Sequence, residues 1–565
     1  MIYRPVREKK ADTLIRQIVE SVKNTGYSEL SLSSLSCSDY INILSLLNEI
    51  YKKYEDRMIV SLPSLRSDTF TEEFAEILGK FKKSTITFAV EAGSSRLRKY
   101  INKGLEEENL ISSLLTARKY GWFKAKLYFM IGLPSEQTDD IEDIVILIRN
   151  LIKRTGFFFT VSFSIFIPKS NTPFQWEVQD CKESLLRKID FLKKRLNHPK
   201  IKLSFHDVET SILEAIMSKG DRRLSKVIYQ AFLDGAVFDS WREKFDFMKW
   251  KEAFKKCGID YMKYIERIYS YDDILPWDHI SAGVSKKYLE NENRDAKELK
   301  YQYDCRSEKC SACMVCKELG VNIVKEKSIR ILEKGNYINR KDDNKNINLN
   351  KIRLKYQKNE PLTFLSHLET LRVFEKAVKR AEISINYTSG FHPRMKMVFA
   401  YPLGVNIESE SEYLDIELNE KYNENDLMIS LNSHLPDGLK IINARYVSKS
   451  FAKIAVLLTS ADYEVILKNS SDIKKIKSNI EKCFEENKLI IIRKEKEENV
   501  INYIENFEIN EKSVKIKIKI NGSRSVKPFL ILNGLGISDN DIKILKRTAL
   551  FVKVGDCNKD PIDIE

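Results

Sequence analysis

Through its first 200 residues the chain alternates short apolar runs with segments of helical spacing, which narrows the folds open to it. "YSELSLSSLS" (27–36), "RMIVSLPSL" (57–65), "STITFAVEAG" (84–93), "FKAKLYFMIGLP" (123–134) and "FFFTVSFSIFIP" (157–168) read as strands. Between them, residues 11–24, 39–53, 70–81, 107–119 and 138–153 space their apolar side chains as amphipathic helices do. Stop and start signals agree. Gly121 closes one such segment, and Asp139 and Asp140 place acid at the positive end of the next helix. Apolar strands alternating with helices predict a parallel sheet covered by helices. Five β–α units are visible, forming an open or partial barrel.

At 565 residues the chain exceeds one core, and about 150 residues per domain implies three or four units. Residues 1–200 form the partial barrel. Residues 201–300 read as a mostly helical extension with aromatic-rich stretches such as "GAVFDSWREKFDFMKW" (235–250). Residues 301–333 hold four clustered cysteines, and "KGNYINRKDDNKNINLN" (334–350) has the polar composition of a linker. Residues 351–565 change character. "KIRLKYQK", "HLETLRVFEKAVKRA", "MKMVFAY", "EYLDIELN", "ENDLMISLNSHL" and "KIINARYV" give strand, helix, strand, strand, helix, strand, the ferredoxin-like order. A second round runs from 461 through "DYEVILK", a helix at 471–485, "KLIIIRK", a strand around "VKIKIKI" and a last helix near 541–549. The fold class is therefore α/β followed by an α+β region with tandem ferredoxin-like halves.

Charge sets loose limits on partners. Lys and Arg number 95 against 81 Asp and Glu, and the surplus is spread, with 60 basic and 50 acidic residues before 351 and 35 and 31 after. A polyanion such as RNA is permitted, and no sequence feature is specific for DNA. The N-terminus "MIYRPVREKKADTL" lacks the apolar core of a signal peptide, and the longest apolar run is too short to span a bilayer. The expectation is a cytoplasmic protein with no membrane partner. Neither a G-x-G-x-x-G or P-loop fingerprint nor an H-E-x-x-H motif is present, which argues against kinase and zinc-hydrolase readings.

"DCRSEKCSACMVC" (304–316) holds four of the nine cysteines: Cys305, Cys310, Cys313 and Cys316. In a chain of this kind such a cluster points to metal rather than disulfides. Structural zinc sites pair two C-x2-C knuckles across a longer insert, whereas successive C-x2-C-x2-C is closer to iron–sulfur ligation. Iron–sulfur, zinc and unligated thiols all remain open. Cys37 stands alone at a strand end and reads as a small buried residue.

In "FAVEAGSSRLRKYINKG" (88–104) a strand ends at Glu91, and Gly93 leads into a short helix with Arg96 and Arg98. Polar groups at the C-terminal ends of parallel strands are where α/β barrels keep their sites. A carboxylate there holds an amine or ribose hydroxyls, an Arg grips a carboxylate, and the bland alternative is a capped surface turn. With "KLYFMIGLPSEQTDDI" (126–141), "FIPKSNTPFQW" (166–176), "GDRRLSKVI" (220–228), "LPWDHISAGVSKKYL" (275–289), the cysteine cluster, "LTFLSHLETLRVFEKAVKRAEI" and "SGFHPRMKMVFAYPLGV", nearly the whole chain resembles the cobalamin-type radical-SAM family. Within it, the match is to members that join a radical-SAM module to a radical-SAM-associated domain of unknown function.

That resemblance implies S-adenosylmethionine (SAM) as cofactor and a 4Fe–4S cluster held by C-x-x-x-C-x-x-C after the first strand. It assigns SAM contacts to Glu91, Ser94 and Arg96, and less directly to Ser33, Ser34 and Gly132. The C-x-x-x-C-x-x-C motif does not occur in these 565 residues. The expectation is an N-terminally truncated member, inactive in reductive SAM cleavage by itself. A separate N-terminal fragment then becomes an expected partner, and cobalamin enters only if that region is supplied. Two alternatives stand beside the enzyme: a non-catalytic RNA-binding or adaptor protein with a structural metal site, and an electron-transfer partner.

RNA modification is the expected activity on a polyanion. Helix 367–381 presents Leu368, Leu371, Phe374 and Val378 on one face and Arg372, Lys376, Lys379 and Arg380 on another. The neighbouring loop "TSGFHPRMK" adds His392, Arg394 and Lys396. These residues are candidate RNA contacts, the alternative being a solvated charged face. His206 and His279 read as hydrogen-bonded structure or as site residues.

Overall fold

The computed structural model describes residues 3–327 and 350–564, apart from 35, 64, 82, 307–308, 389–392, 449–451, 469–472, 494–495 and 521–525. The expected linker 334–350 lies outside the described residues except for Asn350. Two compact units are present, residues 1–17 with 29–334 and residues 18–28 with 335–565. Helix α1 (Ala11–Thr25) is the first element of the chain.

In the first unit, β1 (Glu29–Ser31) and β2 (Ile59–Ser61) pair in parallel around helix α2 (Ile43–Tyr54). A parallel bridge from Leu65 to Phe88 leads on to a four-stranded parallel sheet. Its order is β3 (Ile86–Glu91), β4 (Lys124–Ile131), β5 (Phe158–Ile165), β6 (Ile201–Phe205). The connecting helices are α3 (Glu72–Lys80), α4 (Ser95–Tyr100), α5 (Glu107–Lys119), α6 (Thr138–Thr155) and α7 (Lys182–Arg195). The five expected strands and the amphipathic helices between them are all present, and strand neighbours follow chain order as in a barrel.

Local chemistry explains the boundaries. Thr71 caps α3 by accepting from the Phe74 amide, and Gln137 and Asp140 form a capping box on α6. Gly156, in the left-handed region, ends α6. Leu127, Phe129, Val161 and Phe163 are fully buried on one face of the sheet. Each such side chain contributes about 1.5–3 kcal/mol relative to exposure.

Residues 201–300 open on a strand that was not expected, "IKLSF", which forms β6 at the sheet edge, and are helical in most of their regular structure beyond it. Its apolar residues Ile201, Leu203 and Phe205 are incompletely buried, and the run alternates with exposed Lys202 and Ser204. That left little apolar signal to read. Beyond it come α8 (Val208–Lys219), α9 (Leu224–Leu233), α10 (Phe247–Lys256), α11 (Met262–Glu266), α12 (Lys286–Lys297) and, after Cys313, α13 (Val315–Glu318).

The second unit is built on one mixed sheet. Its first half contains β7 (Asn350–Lys358), α14 (His367–Arg380), β8 (Met397–Phe399), β9 (Glu408–Leu418), α15 (Glu424–Asn432) and β10 (Leu439–Val447). Strand order β10–β7–β9–β8 is fourth, first, third, second, the ferredoxin-like arrangement. After α16 (Ile454–Leu457), the second half runs β11 (Leu458–Leu467), α17 (Ile473–Glu485), the hairpin β12 (Ile490–Arg493) and β13 (Lys496–Asn499), β14 (Ile504–Ile509), β15 (Ser513–Lys519), α18 (Pro528–Gly534) and β16 (Ile542–Val554). Strand β17 (Cys557–Lys559) pairs with the end of β16. Order β16–β11–β15–β14 repeats the pattern, so the halves are tandem ferredoxin-like units.

Two expectations fail here. "KLIIIRK" is a strand, but it pairs only within its hairpin, and β14 takes its place in the main sheet. The helix expected near 541–549 is instead the long strand β16, paired with β11 on one side and β9 on the other. Leu545, Arg547 and Leu550 are buried on it, so its partners settle an apolar spacing that fits either structure. Among the described residues no helix is long and apolar enough to cross a membrane.

Candidate active site on the parallel sheet

One face of the β3–β6 sheet is apolar and the other is not. Along β4, Ala125, Leu127, Phe129 and Ile131 are buried, while Lys124 and Tyr128 reach solvent and Lys126 is half-buried. Strand register turns the second set into rows. Thr87, Lys126, Thr160 and Lys202 lie side by side on neighbouring strands, and Ala89, Tyr128, Ser162 and Ser204 form the next row. Met130 and Ser164 continue it toward the C-terminal ends. Lys126 stands over the Tyr128 ring at 4.8 Å. Parallel sheets normally bury both faces under apolar side chains, so a hydroxyl- and amine-lined face is built to meet something polar. None of these residues stood out in the sequence except as alternation within "KAKLYFMI" and "FFTVSFSI".

At the C-terminal ends, Glu91 sits half-buried at a φ of 71°, its Oε1 3.4 Å from Lys103 Nζ. Ser94 and Arg96 are committed elsewhere. Ser94 Oγ donates to Asp140 Oδ1 at 2.5 Å and caps α4 by accepting from the Leu97 amide. The Arg96 guanidinium donates to the other Asp140 oxygen and to the Ser135 carbonyl. Asp140 is buried, and although burial works against its charge, the Ser94 and Arg96 hydrogen bonds hold its carboxyl below the usual range. The sequence missed Asp140 as a site element, since 44 residues separate it from Arg96.

Gly132 is left-handed at φ 77°, and its amide donates to Glu136. Lys188 bridges Glu136 and Asp180 at 2.5 and 2.7 Å beside it. Ser33 and Ser34 are exposed just past β1, on the neighbouring two-stranded sheet. His206 and His279 are exposed.

The cysteine segment belongs to the same unit. Val315 and Cys313 are buried with Trp176, Tyr269, Trp277 and Tyr288, and the Ser285 amide donates to the Cys313 carbonyl. Arg306 pairs with Asp304 and Asp39, and Arg4 donates to Ser311 and Tyr288 at 3.0 Å. Left-handed Ala312 and Met314 turn the chain sharply on both sides of Cys313. Cys310 and Cys316 are exposed and Cys305 half-covered. Burial pushes the Cys305 thiol up, Arg4 opposes this, and Asp304, Cys313 and Cys310 add to it. The donor chemistry suits thiolate ligation, yet among the described residues no three His, Cys, Asp or Glu side chains converge as a metal site. Cys37 is buried and its Sγ contacts the Leu32 carbonyl at 2.9 Å.

Helix α14 is less open than its sequence suggests. Phe374 and Val378 are fully buried, with Phe374 edge-on to Tyr356 at 4.8 Å, but Leu368 is 65% exposed and leaves the expected apolar face. Lys376 lies 3.8 Å over the Tyr27 ring, and Arg380 donates to the His434 carbonyl. Lys379 is half-buried, while Arg372 and Arg394 are exposed. His392 lies outside the described residues.

Residues 2–148 match the radical SAM superfamily, and residues 351–528 match an uncharacterized protein family conserved in bacteria, DUF2344. The chain carries a radical SAM superfamily region. An uncharacterized protein of Methanocaldococcus jannaschii is 34% identical over 228 residues, 40% of this chain and 49% of that protein. An uncharacterized methyltransferase of Pyrococcus horikoshii is 33% identical over 79 residues, 14% of this chain and 17% of that protein. The chain thus spans half or less of the curated relatives it matches. A putative phosphonomutase from Burkholderia cenocepacia aligns over 36% of this chain and 79% of its own at 11% identity, with a TM-score of 0.17. The radical SAM superfamily in general uses SAM and an iron–sulfur cluster, and the matched region ends within α6, so it contains Glu91, Gly132 and the Ser94–Arg96–Asp140 knot.

Proposed function

We propose that this chain supplies the SAM- and substrate-facing wall of a radical SAM enzyme. The observation that carries the reading is the polar face of the parallel sheet, on which Tyr128, Lys202 and Ser204 reach solvent while Thr87 and Ser162 are buried between them. SAM bound beside a reducing cluster supplies a radical that abstracts hydrogen from the substrate. The chain's own residues bind and orient. Glu91, with one partner at 3.4 Å, would accept the SAM ammonium or ribose hydroxyls at the end of β3. Lys126 and Lys202, one row apart from Tyr128, Ser162 and Ser204, suit an anionic substrate, and RNA is the macromolecule we assign. Ser94 and Arg96 act through Asp140 to hold the β3 turn rather than by touching the cofactor. Methyl transfer is the reaction class suggested by the name of the Pyrococcus relative.

Calorimetric titration of the full chain with SAM tests this. Binding is expected, weakened about tenfold or more by Glu91→Gln, equivalent to about 1.4 kcal/mol. If the full chain shows no heat of SAM binding, the wall reading fails and an adaptor built on an old barrel takes its place.

The same reading keeps Cys305, Cys310, Cys313 and Cys316 as ligands of one metal centre, iron–sulfur or zinc. Anaerobically purified protein is expected to carry stoichiometric iron and sulfide or stoichiometric zinc. Both should be lost in the Cys310→Ser, Cys313→Ser double variant. Metal retained by that variant would remove the cysteines from the proposal.

A further inference from the structure

The two ferredoxin-like halves meet along a short seam. Strands β9 and β16 pair in parallel only at Glu408 with Lys546 and Ser409 with Arg547. Beyond that seam the chain segments diverge and leave a cleft of about 1130 Å³. The first ferredoxin-like half lines it from residues 360–364 and 406–408, and the second half supplies the larger share from 468, 493, 527–533 and 539–545.

The lining is mixed in a particular way. Lys468, Lys527 and Lys543 are exposed, and none of them forms an ion pair or a side-chain hydrogen bond among the described residues. Arg493 adds a fourth cation, 3.9 Å from Glu498. Against these stand Glu360 and Asp539, while Glu408 is held by Lys546 at 3.6 Å. Phe364 is 65% exposed at the cleft, and Phe529 is half-covered in it. Asn406 and Asn533 present exposed amides to the same space. A bare anion site needs no carboxylates or rings, and an apolar ligand site needs no lysines. Each class of group here matches one part of a nucleotide. Lysines hold phosphate, a carboxylate accepts ribose hydroxyls, a ring stacks on the base, and amides meet its edges.

We infer that the cleft between the two halves binds a nucleotide unit, either free or within a single-stranded RNA. This assigns a ligand class to the DUF2344 region and does not rest on the radical reading of the sheet.

Fluorescence anisotropy with a labelled, 5′-phosphorylated oligoadenylate and the full chain tests the inference, with AMP as competitor. The Lys468→Ala, Lys527→Ala, Lys543→Ala triple variant is expected to bind at least about tenfold more weakly, and its log–log salt slope should shrink by about 2 units, at roughly 0.7 per lost contact on a single strand. Phe364→Ala is expected to cost about 5- to 100-fold through lost stacking. Lys255→Ala, exposed near the end of α10 and not among the cleft residues, should leave binding unchanged. Displacement of the RNA by AMP means that the cleft accepts a free nucleotide; RNA binding without displacement means a nucleotide within a strand. Either result supports the inference. It is overturned if wild type binds neither probe or the triple-lysine variant binds as wild type does. It is equally overturned if Phe364→Ala has no effect, which would leave only attraction of an anion to lysines. Unchanged melting of these exposed-site variants guards against loss by unfolding.

Discussion

Glu412→Ala is expected to destabilise the second unit by about 3–5 kcal/mol, the usual cost of leaving a buried charge unpaired. Glu412 and Arg547 are almost wholly buried, 2.8 Å apart, at the seam between the two halves. The Arg547 guanidinium also donates to the Tyr463 hydroxyl at 2.9 and 3.0 Å and to the carbonyls of Tyr401 and Pro402. Ser409 Oγ donates to the same carboxylate at 2.7 Å. Burial pushes the Glu412 carboxyl up from the usual carboxylate range, and Arg547 only partly offsets this. Removing the carboxylate strands the guanidinium among neutral acceptors, with no water to solvate it.

In a unit of about 240 residues such a loss lowers the melting midpoint by about 6–20 °C, at 2–4 °C per kcal/mol. Scanning calorimetry would show the fall. The double replacement Glu412→Leu with Arg547→Met should recover most of it, since apolar groups of similar volume remove both desolvation costs. A fall of under about 1 kcal/mol for the single variant would mean that water reaches the seam. This pair also bears on the cleft: it fixes the short pairing of β9 and β16 beyond which the walls separate.

The fold was legible wherever periodicity was long and unmixed. Each strand from "STITFAVEAG" to "FFFTVSFSIFIP" carried an apolar run between turn residues, and the helices between them kept one apolar stripe. Strand β16 was misread because Ile542 and Leu545 stand three apart, as on a helix, while Leu545 and Arg547 bury two apart as strand positions and a bulge between Arg547 and Ala549 brings Leu550 back to their side. Only its two neighbours, β11 and β9, decide between these. Strand β6 was missed for the opposite reason, being too short and too exposed to announce itself. For the site, alternation in "KAKLYFMI" gave two faces but could not say that one is polar across four strands and partly open to solvent. That depends on where the rest of the chain goes. The Ser94–Arg96–Asp140 knot joins residues more than 40 positions apart and has no local signature. In the cysteine segment the residue types and spacing are plain in the sequence, whereas the left-handed turns at Ala312 and Met314, and the lack of convergence of three such side chains among the described residues, are properties of the fold. The stripe on α14 shows the same limit. A helical wheel places Lys376 among solvated cations, and only the fold places Tyr27 beneath it.

Gly93→Ala should be the most damaging small substitution in the first unit. A Cβ at this position would lie 2.3 Å from the backbone nitrogen of Ile144 and 2.6 Å from its Cα. Both are main-chain atoms in the middle of α6, so no rotamer can move them aside. The helix also cannot drift away freely, because Ser94 and Arg96, in the turn that begins at Gly93, tie down Asp140 one turn earlier. One methyl therefore sets packing against a buried hydrogen-bond knot. The expected loss is about 3 kcal/mol, at the upper end for overpacking. Gly104→Ala is the matched control, since nothing lies within 4 Å of its Cβ position. That change should be neutral or stabilise by up to about 1 kcal/mol. Urea midpoints of the two variants against wild type check the contrast, with near-equal midpoints showing that α6 yields at little cost. Because Gly93 follows β3 within two residues of Glu91, the same strain should also weaken SAM binding at temperatures where the variant is still folded. Gly104→Ala should bind SAM as wild type does.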